Sequence, residues 1–232
     1  MMNQTSTSRR RTLAAGAALL LATVSGHAAL ARTAPAATKP DQSAAANAGP
    51  AIDGFRSATF GMTQAEVRKV IERDFHLPAS DIHAGENAIQ RTDVLNVSVP
   101  NLMPGGGTAN VAYVFGYTSH KLIAVNILWS KMTDPKITPQ QLYQNGESLQ
   151  QYFAGEGFPP QRSTGNVGLP DGVLLFRAAD PAGNVVLLAL SGTLVKGPKS
   201  QDKTSLSPTA LSLAYAQDPQ HADVFRLGKG SF

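Results

Sequence analysis

Apolar residues recur along this chain with two different periods, and the periods follow each other in a repeated order. From residue 60 to 75 (FGMTQAEVRKVIERDF) Val67, Val70, Ile71 and Phe75 recur every three or four positions, with Arg68, Lys69, Glu72 and Arg73 on the other faces. That spacing predicts an amphipathic helix with a solvated charged side. Thr63 with Glu66 three residues later is a capping box, which marks its start. Period two then takes over at 94–99 (VLNVSV), 110–117 (NVAYVFGY) and 122–129 (LIAVNILW). Alternation with β-branched and aromatic residues predicts half-buried antiparallel strands, with 118–121 as a short hairpin link.

The order then recurs. Residues 137–153 (ITPQQLYQNGESLQQYF) open with Thr138, Pro139 and Gln141, a second Thr cap with proline at the first helical position. Leu142, Leu149 and Phe153 make a weaker apolar stripe, interrupted by Gly146. Strands are expected at 172–178, 185–192 and 210–215, the first two joined by the turn residues DPAGN at 180–184. The pattern predicts an α+β fold of tandem α-β-β-β units, 51–133 and 134–216, each a helix packed on antiparallel sheet in two layers. Two such units can join into one sheet or pack as separate lobes. The tail, 217–232, has no periodic pattern.

Between the first two strands lies NLMPGGGTAN, residues 101–110. A phosphate-binding P-loop ends in Gly-Lys-Ser/Thr and opens a helix, and a dinucleotide loop also leads into a helix. Here the glycines lead into a strand, so they read as a hairpin corner that needs positive φ angles.

The start of the chain changes the charge picture. Arg9, Arg10 and Arg11 precede a short apolar run and small residues ending Ala29-Leu30-Ala31, which reads as a secretory signal over 1–31. The apolar run is shorter than the ~20 residues of a spanning helix, so no stable membrane anchor is expected after cleavage. The arginines fit either the general or the twin-arginine export route. Residues 32–50, rich in Ala and Pro, read as a flexible tether. The whole chain has 20 basic and 16 acidic residues, for +4. Taking three arginines away with the signal leaves 17 against 16, or +1. A near-neutral mature chain gives no footprint for nucleic acid. With no cysteine, disulfides, thiol chemistry and a lipidated N-terminal cysteine are absent.

Candidate chemistry is sparse. The close Asp/His pairs, Asp81 with His83 and His221 with Asp223, fall in segments read as loop or tail, and no third ligand has metal-site spacing. There is no G-x-S-x-G elbow, and nothing selects among Asp74, Glu86, Glu147, Glu156 and Asp171 as paired acids. Neither catalysis nor a cofactor is therefore expected. Tyr113, Phe115, Tyr117 and Trp129 share one sheet face. They are partner-binding candidates if that face is open, and core if the helix covers it. The opposite stripe, Asn110, Ala112, Val114, Gly116, Ala124, Asn126 and Leu128, is small and mildly apolar, a surface on which a partner could lie flat.

Gly61-Met62-Thr63-Gln64-Ala65-Glu66-Val67 resembles the G-M-T-x-x-x-V helix start of the SmpA/OmlA type of small outer-membrane assembly lipoproteins. The tandem order is similar to β-lactamase-inhibitor-protein-like and PepSY-type envelope modules. That resemblance implies a non-catalytic periplasmic module that binds another envelope protein as assembly factor or inhibitor. It also implies a structural role for Gly61, Met62, Thr63 and Glu66 at the helix start. The chain departs from the lipoprotein type in lacking a lipobox cysteine, and its second unit has Ile137-Thr138-Pro139 in place of G-M-T. A small-molecule or lipid carrier, with a pocket lined by Val70, Phe115, Val125 and Trp129, is the alternative, and an unrecognised hydrolase the third.

Overall fold

A computed structural model describes residues 49–196, 204–228 and 230. The expected signal, and the tether apart from Gly49 and Pro50, lie outside the described residues. In chain order the elements are strands β1 (Gly54–Phe55) and β2 (Ala58–Thr59), helix α1 (Gln64–Phe75), and strands β3 (His83–Asn87), β4 (Thr92–Val99), β5 (Ala109–Phe115) and β6 (Leu122–Ser130). Helix α2 (Pro139–Gly155) follows, then β7 (Ser163–Thr164), β8 (Val167–Leu169), β9 (Gly172–Ala179), β10 (Val185–Lys196) and β11 (Thr204–Ala216). The protein is α+β: two helices pack against one large antiparallel sheet.

Both helices begin as their sequences require. The Glu66 N–H donates to Thr63 Oγ1 at 3.3 Å, and the Thr63 N–H returns to Glu66 Oε2 at 2.7 Å. Thr138 and Gln141 repeat the arrangement at 3.2 and 3.0 Å, with Pro139 at the first helical position. Each box satisfies N–H groups that no helical carbonyl can reach. His76 ends α1 in the left-handed conformation.

Strand order is β3-β4-β5-β6-β11-β10-β9-β7, with β8 also paired to β9. The two expected sets of strands therefore meet within one sheet, at a seam where β6 pairs antiparallel with β11. There Val125 faces Tyr215, Ile127 faces Leu213 and Trp129 faces Leu211. Alternation puts these side chains, with Leu95, Val97, Val111, Tyr113, Leu188 and Leu190, on one face. They join Val67, Val70 and Ile71 of α1 and Leu142 and Phe153 of α2 in a single buried cluster.

Several expectations need correction. His83 lies in edge strand β3, not in a loop; its strand is polar and exposed, so no apolar alternation announced it. The short strands β1 and β2, which pair with each other, and β7 and β8, which each pair with β9, were likewise too brief for a period to register. Strand β5 stops at Phe115, because the Gly116 N–H bonds to the Lys121 carbonyl and the His120 N–H to the Gly116 carbonyl, closing the turn. Gly146 does not weaken the inner stripe of α2. A Cβ there would stand 2.8 Å from Leu175 Cδ1 and 3.4 Å from Leu211 Cδ1, so the glycine lets the helix approach the sheet.

The glycine run joins β4 to β5 as a corner, and it also has a second task. Gly105 and Gly107 have φ of +71° and +77°. Asn145 of α2 donates to the Gly106 carbonyl at 2.8 Å, and a Cβ on Gly106 would lie 3.0 Å from that amide. Next to it Asp134 accepts from the Thr108 N–H at 3.0 Å. The loop is thus fastened to the second helix, and Asn145 is buried in doing so.

Asn145→Ala should lower unfolding stability by about 1–3 kcal/mol, since it strands the Gly106 carbonyl; urea denaturation reads the change. A second expectation concerns acid. Hydrogen bonds from the Thr63 backbone and side chain hold the Glu66 carboxylate below the ordinary glutamate range. A depressed folded value contributes stability above the unfolded pKa, and that contribution is lost as pH falls through the folded one. The urea midpoint of the native chain should therefore approach that of Glu66→Gln, which cannot titrate, as pH drops below the usual glutamate value of about 4.3.

Candidate functional site

Three surfaces carry enough detail to be considered, and the first corrects the aromatic expectation. Tyr113, Phe115 and Trp129 are 1%, 0% and 1% exposed, so they present no surface to a partner. They are core because both helices and the β1–β2 segment pack on the face from which they project, in one buried cluster. Only Tyr117 of the four is accessible, at 38%. The alternative carrier pocket is closed for the same reason, since Val70, Phe115, Val125 and Trp129 are at most 5% exposed and belong to the same packed cluster. Gly61, Met62, Thr63 and Glu66 do occupy the helix start. Gly61 has φ +86°, its N–H bonds to the Leu122 carbonyl, and the Met62 carbonyl accepts from the Leu122 N–H.

The opposite sheet face is the open one. Along β4, β5 and β6 it carries Val94, Asn96, Ser98, Asn110, Ala112, Val114, Ala124, Asn126 and Leu128. Across the seam it continues through Ala210, Ser212, Ala214, Leu187 and Ala189. Most of these are half-buried by their neighbours alone; Asn126 and Ser98 are exposed and Ala214 is buried. None carries a charge, and the first along the same face is Arg177 on β9, opposite Leu187. Gly116, expected in this stripe, is instead buried in the turn after β5. A broad uncharged sheet face is unlike an ordinary solvated surface; it shares with the centre of a protein interface the lack of charge, without the aromatic anchors common there.

The second surface is built by the tail. The Tyr117 N–H donates to the Asp223 carbonyl, and the Phe225 N–H to the Gln90 carbonyl, both at 2.9 Å. The Asp223 carboxylate accepts from the Thr118 and Ser119 N–H groups at 3.0 and 2.8 Å. Burial pushes its pKa up, but hydrogen bonds from Ser119 and Thr118 outweigh burial and leave it below the ordinary aspartate value. Phe225 packs edge-on against Tyr117 at 5.6 Å and lies under the Arg91 guanidinium at 3.9 Å. Asp223 is therefore a turn cap rather than a partner of His221, whose Nδ1 lies 2.8 Å from Asp218 Oδ2.

A cleft of about 190 Å³ is the third, above the seam on the helix side. Residues Pro50 to Arg56 form one wall, Tyr152 and Phe153 of α2 with its C-cap Glu156 another, and Phe158, Val186 and Tyr215 complete it. The Ile52 N–H donates to the buried Asp180 carboxylate at 3.0 Å, which pins the first wall to the turn after β9. Tyr215 meets Phe55 at 5.7 Å and Phe153 at 6.4 Å between ring centroids. Burial first, then Tyr152 and Glu156, raises the Tyr215 phenol far above its ordinary range, so it stays a neutral donor. Sequence reading missed this cleft because its rings come from four separate segments. The one local signal was Tyr152 with Glu156, four residues apart on one helix face.

Of the acids weighed for catalysis, Asp74 accepts from the Ser57 N–H at 3.0 Å, holding the β1–β2 turn against α1. Glu156 lines the cleft. Among the described residues no three His, Asp or Glu side chains form a metal-binding group, and no helix is long and apolar enough to cross a membrane. No protein-family model, no curated protein and no solved structure matches the chain.

Replacing Asp223 by Ala should release the tail from the 116–121 turn. Amide exchange at Tyr117 and Phe225 should quicken by about tenfold or more while the central strands stay protected, as expected for a local opening. Hydrogen exchange read by NMR checks this.

Proposed function

We propose that this chain is an exported periplasmic protein-interaction module of the assembly-factor or inhibitor kind, without catalysis or cofactor, whose partner is another envelope protein. The uncharged open face of the sheet is the observation that carries the proposal. Covering such a face displaces no charged side chain from water, and its few amides and hydroxyls can be met by hydrogen bonds from a partner. The basic, apolar and small-residue succession at the chain start supports export, and the near-neutral mature charge argues for a protein rather than a nucleic-acid partner.

The same reading includes a tandem α-β-β-β architecture. Its support is threefold: two Thr-capped helices of the same design, a set of antiparallel strands after each, and a seam formed by the last strand of each set. On this view β3, β7 and β8 are additions at the outer edges. Pairing last strand with last strand makes the two open faces continuous, so one partner could span both.

A photo-crosslinking amino acid at Asn126 or Ser98 on the open face, and at Glu72 on the solvated side of α1, tests the reading in the native envelope. One dominant protein should be captured from both sheet positions and not from Glu72, and Ala124→Arg should reduce the capture about tenfold or more, as charge placed in an interface centre does. Equal capture from all three positions, or none from the sheet, would overturn it.

A further inference from the structure

The cleft above the seam has a composition that the interaction reading does not use. Four partly accessible aromatic side chains, Phe55, Tyr152, Phe158 and Tyr215, line it within a largely polar accessible surface that includes the carboxylates of Asp53 and Glu156. Among the described residues neither carboxylate has a Lys or Arg nitrogen within 4 Å. Arg56, the one cation among the described lining residues, is drawn toward the end of α1. Its guanidinium lies 4.7 Å from the Phe75 ring and donates to the Asp74 carbonyl at 3.0 Å, and it stands farther, 5.8 Å, from the Phe55 ring.

Aromatic faces attract cations through their quadrupole, most strongly where water is excluded, and quaternary ammonium groups suit such surroundings because they shed water easily. Two carboxylates unpaired among the described residues add attraction of the same sign and discourage anions. The volume, about 190 Å³, is below the range of drug-sized pockets and fits a compact ligand. We propose that this cleft binds a small alkylated ammonium ion, with Tyr152, Tyr215 and Phe55 against the methyl groups and Glu156 and Asp53 facing the charge. The site is on the helix side of the sheet, so it is independent of the partner face. Because Pro50 to Arg56 form one wall, the segment that follows the tether shapes the site directly.

Calorimetric titration of the full chain with choline tests this, beside 3,3-dimethylbutanol, which has the same shape without the charge, and glycine betaine, which adds a carboxylate. Choline should saturate at one per chain, and both comparison ligands should bind at least about tenfold more weakly, the difference being charge recognition. Glu156→Gln and Tyr152→Ala alter exposed side chains, so the fold should persist by circular dichroism, and each should weaken choline about fivefold or more. Absence of saturation, equal affinity for choline and the uncharged alcohol, or unchanged affinity in both variants would overturn the proposal.

Discussion

The antiparallel ladder between β6 and β11 is the interaction on which the rest of the molecule depends. Those strands come from distant parts of the chain, and without their pairing the sheet would be two pieces with two unprotected edges. With the pairing, one apolar face becomes continuous and the helices cover it together. Tyr215 then stands over the seam, where Phe55 and Phe153 can reach it, and the cleft exists because these rings meet there. The open face is continuous for the same reason.

Around that ladder, close approach is arranged by absent side chains. Gly146 lets α2 settle onto Leu175 and Leu211, Gly106 lets the β4–β5 corner reach Asn145, and Gly116 leaves room for the Asp223 carboxylate. In each case a Cβ would stand at or inside 3.0 Å of its neighbour, closer than packed atoms tolerate without displacement. At Gly106 and Gly146 the glycine serves a distance between elements more than a backbone angle, since only the flanking Gly105 and Gly107 need positive φ. The sheet edges are managed in a related way. At Leu175, the extra residue of a bulge in β9 against β10, Gln150 donates to the carbonyl at 2.8 Å, while Gly165 and Asn166 break the outer strand into β7 and β8. A broken edge is a poor template for further pairing.

Long elements were legible in the sequence because their periods were. Both capping boxes fall on the residues that announced them, and the six long strands begin within a few residues of their apolar alternation, apart from β11, which starts earlier. Strands β3, β7 and β8 were not legible, being short, exposed or interrupted. The aromatic residues of the first sheet illustrate a different limit. Alternation showed that Tyr113, Phe115 and Trp129 share a face, but how the helices and the β1–β2 segment, which carries no period of its own, dock on that face is a matter of long-range packing. The candidate site was half legible: the small-residue stripe on β5 and β6 could be read, whereas its extension across β11 and β10 required knowing which strands are neighbours. The cleft depends wholly on such long-range adjacency.

The open face has one more physical property. Its side chains are mostly alanine, serine, asparagine and valine, which have few rotamers or none, in place of the lysines and glutamates that usually clothe a sheet. Long charged side chains lose up to about 2 kcal/mol of rotational freedom each when immobilised, and alanine loses none. The backbone beneath is already fixed by ladders on both sides. Contact on this face would therefore freeze almost nothing that is not frozen in the free protein, and recognition there would rest on rigid shape rather than on adaptation.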